Sequence, residues 1–250
     1  MNDKWWQTDV PRLIKRAEDL YDAAIKSGQT YTMQSVTQSK IVQLRKWEQS
    51  LPLTNSNFSS VLKELECFYF PKTHMPGPMV VFPLRDIYGQ VTRAQTKPME
   101  GSIESGSNYR YLGTKAAEFF GPCWIGSSSE NIKRIIKTRK VVVVEGGFDI
   151  LACKLVAPDV PILCPLTKSL GKDHVVYLRM LGVETLYLMF DNEKPKEDYD
   201  IGAGEISMRT LKKKITDMEV EILFCPSSDP SEALKLYPKA RQLKSLLCSL

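Results

Sequence analysis

Acidic residues stand where short apolar runs stop. Val141–Val144 leads straight into Glu145, with Gly146, Gly147 and Asp149 behind it; Leu186–Phe190 leads into Asp191, Asn192 and Glu193. Ile222–Cys225 is followed, a few residues on, by Asp229 and Pro230. In an open parallel sheet, ligands collect beyond the carboxyl ends of the strands. If these runs are neighbouring strands, Glu145, Asp191, Glu193 and Asp229 converge on one edge. Carboxylates crowded in this way repel, by about 4 kcal/mol for a pair at ~4 Å and an effective dielectric of about 20. Either one keeps its proton or a cation sits between them. A donor set rich in oxygen and poor in nitrogen and sulfur selects a hard ion, Mg²⁺ or Mn²⁺. Such an ion keeps positions open for phosphate oxygens, which makes phosphoryl or nucleotidyl transfer the natural chemistry. The reading requires Glu145 and Asp191 to lie close together, bridged by a divalent ion and not by a lysine. Its plain competitor is helix capping, since acidic residues often follow strands as N-caps, and Asp149 fits that role equally well. Gly146-Gly147 signals only a tight turn, and no GK[ST] follows to make a Walker loop.

The elements that must carry these residues begin at Lys140. Val141–Glu145 is a β-branched run of the kind buried on both faces of a sheet. The pattern continues as a helix over 149–157, a strand at 161–164, a helix over 172–181, a strand at 185–190, a helix over 202–214, a strand at 220–225 and a short helix from Pro230. Strand–helix alternation predicts an α/β fold with a parallel sheet covered by helices. Upstream, Val80–Leu84 and Gln90–Thr96 read as two strands around an Asp86–Gly89 turn, after a Pro- and Gly-containing connector at Pro71–Pro78. Gly101–Asn108 reads as a loop. Residues 1–70 read as mainly helical, with apolar spacing at Leu13, Ile14, Ala17, Leu20, Tyr21, Ala24 and Ile25, a second helix near Gln34–Gln49 and a third near Phe58–Phe68. Trp5, Trp6 and Trp47 read most simply as packing residues.

Composition bounds the possibilities. The chain has 250 residues, 43% of them hydrophobic and 25% charged, values of a packed globular protein. No apolar run reaches the roughly 18–20 residues that cross a bilayer, and the start lacks the pattern of a signal peptide, so a cytoplasmic protein is expected. Its 6 cysteines form no CxxC and its histidines number 2, which argues against a zinc ribbon or a multi-histidine centre. The net charge of +5 is compatible with an anionic partner.

Glu145, Gly146, Gly147, Phe148 and Asp149, then Leu188–Glu193, then Asp229–Leu234 resemble the Toprim domain shared by primases, topoisomerases and some nucleases. Val80–Val91, with Phe82, Pro83, Leu84, Arg85 and Asp86, and the later Tyr109–Leu112, is similar to the DnaG-type primase core of phage-like kind. The resemblance covers about residues 78–236. It implies a Toprim-type parallel sheet flanked by helices, a small α/β subdomain carrying basic cleft residues before it, and a helical N-terminal region. The divisions are 1–75, 76–137, 138–236 and a C-terminal helix or tail at 237–250. Departures accompany it: the second carboxylate of the DxD is Glu193, Lys194–Asp200 looks like an insertion that brings Asp198 and Asp200 beside the site, and no zinc-binding module is recognised.

The resemblance further implies a DNA-directed RNA polymerase of primase type. Glu145, Asp191 and Glu193 would be catalytic, and these three with Asp229 would hold Mg²⁺ or Mn²⁺. Lys97 and Arg110, then Arg85, match the family's cleft basics; Lys115, Lys168 and Lys172 join them as residues for nucleotide or template. Phosphate contacts of this type lose affinity with salt. The expected partners are single-stranded DNA, NTPs, and a replicative helicase or separate template-recognition protein. Lys133, Arg134, Lys137, Arg139 and Lys140 form a basic cluster that either tracks nucleic acid or is a solvated face. Two other readings stay open: a metal-dependent Toprim nuclease, and a nucleic-acid-binding replication subunit without catalysis.

Overall fold

A computed structural model of the chain describes residues 60–61, 64–65, 68–70, 79–85, 91–98, 110–112, 123–192, 195 and 200–250. The first two predicted helices, the three N-terminal tryptophans and the Gly101–Asn108 loop lie outside these residues. The predicted pair of upstream strands is present within a four-stranded antiparallel sheet: β1 (Phe68–Phe70), β2 (Met79–Arg85), β3 (Val91–Pro98) and β4 (Arg110–Leu112), adjacent in that order. Phe68, expected to end a helix, starts β1 instead; helix is seen at Ser60, Val61 and Glu64. Three aromatic residues in a row favour the pleated conformation once a partner strand is available, and Phe68 pairs with Val81. Pro83 is tolerated within β2 because β1 pairs only with Met79–Val81, so the proline lies beyond the end of that ladder.

After this sheet, residues 123–125 act as a splice. Arg85 and Trp124 exchange backbone hydrogen bonds of 3.0 and 2.9 Å, and Ile125 and Cys164 exchange bonds of 2.8 and 3.1 Å. The end of β2 is thereby tied to the segment that follows the second strand of the other sheet. Helix α1 (Ser129–Thr138) then starts at Ser128, whose side chain accepts from the Asn131 N–H, and stops at Arg139 in the left-handed region, φ 58°.

The remaining chain alternates as the sequence predicts: β5 (Lys140–Val144), α2 (Gly147–Val156), β6 (Ile162–Leu163), α3 (Lys172–Met180), β7 (Thr185–Met189), α4 (Ala203–Lys214), β8 (Glu219–Ile222), α5 (Pro230–Lys235) and α6 (Tyr237–Cys248). The strands lie parallel in the order β6-β5-β7-β8. Both faces are covered, and the strand residues alternate between them. Val142, Val144, Tyr187 and Met189 pack with α2, α5 and α6, and with Phe82 and Leu84 of β2. Val141, Val143, Leu186 and Leu188 pack with α3, α4 and Ile135 of α1. Full burial of each such aliphatic side chain stabilises the fold by about 1.5–3 kcal/mol. Phe82 meets Phe148 edge-on at 5.5 Å, so the two sheets share one core. No helix among the described residues is long and apolar enough to cross a membrane.

A buried polar cluster closes the apolar face of α2. The Lys154 side chain is fully buried, its ammonium 2.9 Å from Glu64 Oε1 and donating to Asn131 Oδ1 (3.0 Å) and the Pro158 carbonyl (3.1 Å). Arg134 donates to the same Glu64 oxygen at 2.6 Å. Burial pulls the lysine below its ordinary value, and Glu64 opposes that shift. The folded ammonium is therefore a stronger acid than the unfolded one, so stability contributed through Lys154 rises with pH between its depressed value and the usual 10.5. Removing one partner of such a pair strands a buried charge. Glu64→Ala is expected to lower stability by about 3–5 kcal/mol in urea denaturation, whereas Lys154→Met costs far less and flattens the alkaline rise.

Candidate active site

The parallel register builds the site. Val144 lies opposite Met189, so Glu145 comes level with Phe190 and Asp191 stands one residue farther along the neighbouring strand. Glu145 Oε2 and Asp191 Oδ1 are both buried. Leu188 pairs with Ile222 of β8, and the Asn192 N–H donates to the Ser228 carbonyl at 2.5 Å, which brings Asp229 beside the same edge. The structure thus gathers Glu145, Asp191 and Asp229 at the carboxyl end of the sheet. Glu193 lies outside the described residues, as does Asp198; Asp200 is exposed.

Asp229 is largely committed to the backbone. Its Oδ1 accepts from the Glu232 N–H at 2.7 Å and from Ser231 Oγ at 2.6 Å, and its Oδ2 accepts from Ser228 Oγ at 3.1 Å. It is the N-cap of α5, with Pro230 at the first helical position. Asp149, by contrast, is not the N-cap; Gly146 is. Asp149 occupies the first turn of α2, is buried, and its Oδ2 lies where a Cβ on residue 146 would stand, 2.5 Å away. A side chain at residue 146 would therefore have to displace the Asp149 carboxylate.

Two buried thiols register the charge of this edge. Burial pushes the Cys164 thiol well up; a backbone hydrogen bond at Leu166 opposes the shift, and Asp149, Glu145 and Asp191 add to it. Cys225 is pushed up to about 12, first by burial and then by Asp229, Asp149 and Asp191. Asp149 and Asp191 thus act on both thiols, Glu145 on Cys164 and Asp229 on Cys225. Cys164 also donates its Sγ–H to the Glu145 carbonyl at 3.2 Å, which ties the second-strand end to the backbone of the central acid. Such thiols are inert, because the thiolate is the reactive form. With Cys67 replaced by serine, a disulfide-exchange reagent at pH 8 should titrate one thiol quickly, Cys248, and reach the four buried cysteines only on unfolding.

A cationic group approaches the acids. After β6 the chain turns through Leu166 at φ 58°, and the Lys168 ammonium stands 3.7 Å from Glu145 Oε1. A lysine does approach the central acid. Its side chain is 42% exposed against 16% for Glu145, and the separation exceeds a hydrogen bond, so the pair is loose on the lysine side and open to displacement by an ion of higher charge. Lys172 opens α3 and is exposed. On the antiparallel sheet, Arg85 is half-buried at the end of β2. The backbone path from Arg85 through Trp124, Ile125 and Cys164 to β5 crosses three interstrand steps, roughly 14 Å at about 4.8 Å each. Lys97 pairs with Val80, and Arg110 with Thr96; Lys115 lies outside the described residues. Of the basic cluster, Arg134 pairs with Glu64 and, more loosely, with Glu130 one turn back, Arg139 with Glu184, and Lys140 donates to the Leu250 carbonyl.

The donor set fits a hard divalent ion. Glu145 and Asp191 offer buried carboxylate oxygens, and Mg²⁺ commonly takes one or two carboxylates while keeping waters and phosphate oxygens as its other ligands. Among the described residues no group of three or more His, Cys, Asp or Glu side chains is close enough to form an all-protein cage.

No family model and no curated protein matches the sequence. Solved structures do match. The chain is similar to a DnaG catalytic core, with a TM-score of 0.58 and 16% identity over 90% of this chain and 79% of that one. It is similar to the RNA polymerase domain of Mycobacterium tuberculosis primase DnaG, with a TM-score of 0.53 and 18% identity over 82% and 66%. A DnaG primase catalytic domain bound to ssDNA gives 0.51 and 17% over 79% and 60%. The chain spans less than two thirds of the length of the last two. It has the fold of DnaG-type primase catalytic cores.

Proposed function

We propose that the protein is a DNA primase, a nucleotidyltransferase that copies single-stranded DNA into short RNA primers from NTPs. The observation that carries this reading is the meeting of Glu145 and Asp191, with buried oxygens, at the ends of hydrogen-bonded parallel strands in a primase-core fold. Glu145, Asp191 and Glu193, with Asp229 near them, would hold Mg²⁺ or Mn²⁺, which neutralises and orients a triphosphate. Around it the chain's own residues divide the work. Glu145 serves as a ligand or takes the proton of the attacking 3′-hydroxyl on a carboxylate oxygen. The hydroxyl oxygen bonds to the α-phosphorus as the bond to pyrophosphate breaks. Lys168 moves from Glu145 to the polyphosphate, with Lys172 beside it. Arg85, Lys97, Arg110 and Lys115 hold template and nucleotide phosphates. A replicative helicase or a template-recognition protein completes the working assembly, in the cytoplasm of a bacterium or phage-infected host.

The test is primer synthesis on single-stranded DNA with NTPs and Mg²⁺ or Mn²⁺. Glu145→Gln and Asp191→Asn should each lower kcat by about 100-fold or more. Lys168→Ala should raise the NTP KM several-fold with a smaller effect on kcat. Wild-type rates in both carboxamide variants would end the proposal.

Two observations favour a second reading, a nucleic-acid-binding replication subunit without catalysis: Asp229 is spent on capping α5, and Lys168 stands beside Glu145. Calorimetric titration with Mn²⁺ separates the two. Uptake that disappears in Asp191→Asn supports the enzyme, and no uptake by the wild type supports the binding subunit.

A further inference from the structure

Helix α4 begins directly on the end of β7. Gly204 and Met208 lie one turn apart on its buried face, and they meet consecutive residues. The Phe190 N–H donates to Met208 Sδ at 3.3 Å. A Cβ on Gly204 would collide with the Asp191 carbonyl oxygen and stand 3.2 and 3.3 Å from the Asp191 C and N atoms. These are backbone atoms, which cannot swing aside as a side chain does. Glycine is a poor helix former, so helix propensity does not explain its place inside the first turn; the close approach does. In the same turn, Ser207 donates its Oγ–H to the Lys168 carbonyl. One helical turn therefore touches the backbones of both Asp191 and Lys168.

We propose that Gly204 is the positioning residue of the site: the missing side chain lets α4 seat against the Asp191 backbone and fixes where that carboxylate stands relative to Glu145. Its consequence for catalysis rests on the primase reading; its consequence for geometry does not. Misplacing a catalytic group by about 1 Å costs on the order of 100-fold in rate, and a methyl group at residue 204 demands a shift of that order.

The experiment compares Gly204→Ala with wild type and with Thr210→Ala, an exposed α4 position whose hydroxyl bonds only to its own helix at Ile206. Three properties are read: the crystal structure, Mn²⁺ binding followed by electron paramagnetic resonance, and primer-synthesis kinetics. Gly204→Ala should displace the Asp191 backbone, weaken Mn²⁺ binding at least 10-fold, and lower kcat about 100-fold. Its NTP KM and its affinity for single-stranded DNA should stay within about twofold. Thr210→Ala should match wild type throughout. Met208→Leu keeps the volume but removes the sulfur acceptor, and should lower kcat about 3- to 10-fold with KM unchanged, so the idea remains testable if the alanine variant does not fold. Asp191 unmoved in Gly204→Ala, or a loss that only tracks the unfolded fraction while folded protein keeps wild-type Mn²⁺ affinity and kcat, overturns the positioning role, as does wild-type kcat in both variants. If wild type itself makes no primers, the primase reading falls, and the position of Asp191 in the Gly204→Ala crystal still decides this one.

Discussion

The parallel pairing of β5 with β7 sets the terms for everything at the carboxyl edge. With Val144 held opposite Met189, the acids that follow each strand cannot separate unless a ladder of almost entirely buried residues comes apart. Their repulsion is built into the register, and the surroundings are arranged to meet it. The start of α2 presents its positive end beside Glu145 and Asp149. Lys168 approaches from the loop after β6. What these do not neutralise, a divalent ion can, and the oxygen donors present are suited to a hard one.

The acidic edge would be of little use if the basic sheet were free to drift from it. Residues 123–125 prevent that by pairing with Arg85 on one side and Cys164 on the other, and Cys164 reaches on to the Glu145 carbonyl. Backbone hydrogen bonds, completed by the Cys164 thiol, thus run from a candidate template-binding arginine to the backbone of Glu145. The Phe82–Phe148 contact locks the same junction from the core side. The Lys154–Glu64–Arg134 cluster anchors the helical segment at residue 64 to α1 and α2 through charge. An ion pair this well buried contributes specificity of docking more than net stability.

Much of this architecture was legible in the chain. Four valines in a row can scarcely be anything but a strand buried on both faces, and the helix-strand alternation from Lys140 onward was readable to within one or two residues at most ends, because each element combines a strong local preference with a clear turn. Phe68 was misread because an aromatic at the end of an apolar run suits helix and strand alike until a partner strand decides between them. Capping fell to Asp229 and not to Asp149, for which the sequence left it open. Both follow strands closely, but whether a carboxylate caps a helix depends on the angle at which the chain leaves the strand, and spacing alone does not encode that angle. Gly204 follows the apparent insertion as one of two glycines, and nothing local marks its contact with Asp191.

The sequence by itself determined the element types, the parallel topology and the chemical character of the edge, since these follow from side-chain branching, periodicity and charge, which are local properties. Tertiary structure alone decided which strands are neighbours, that Lys154 finds Glu64, that Arg134 and Arg139 find distant acids, and that α4 comes to rest on the backbone of Asp191. Those are contacts between residues far apart in the chain. They are selected by the packing of whole layers, and no stretch of the sequence read alone carries that information.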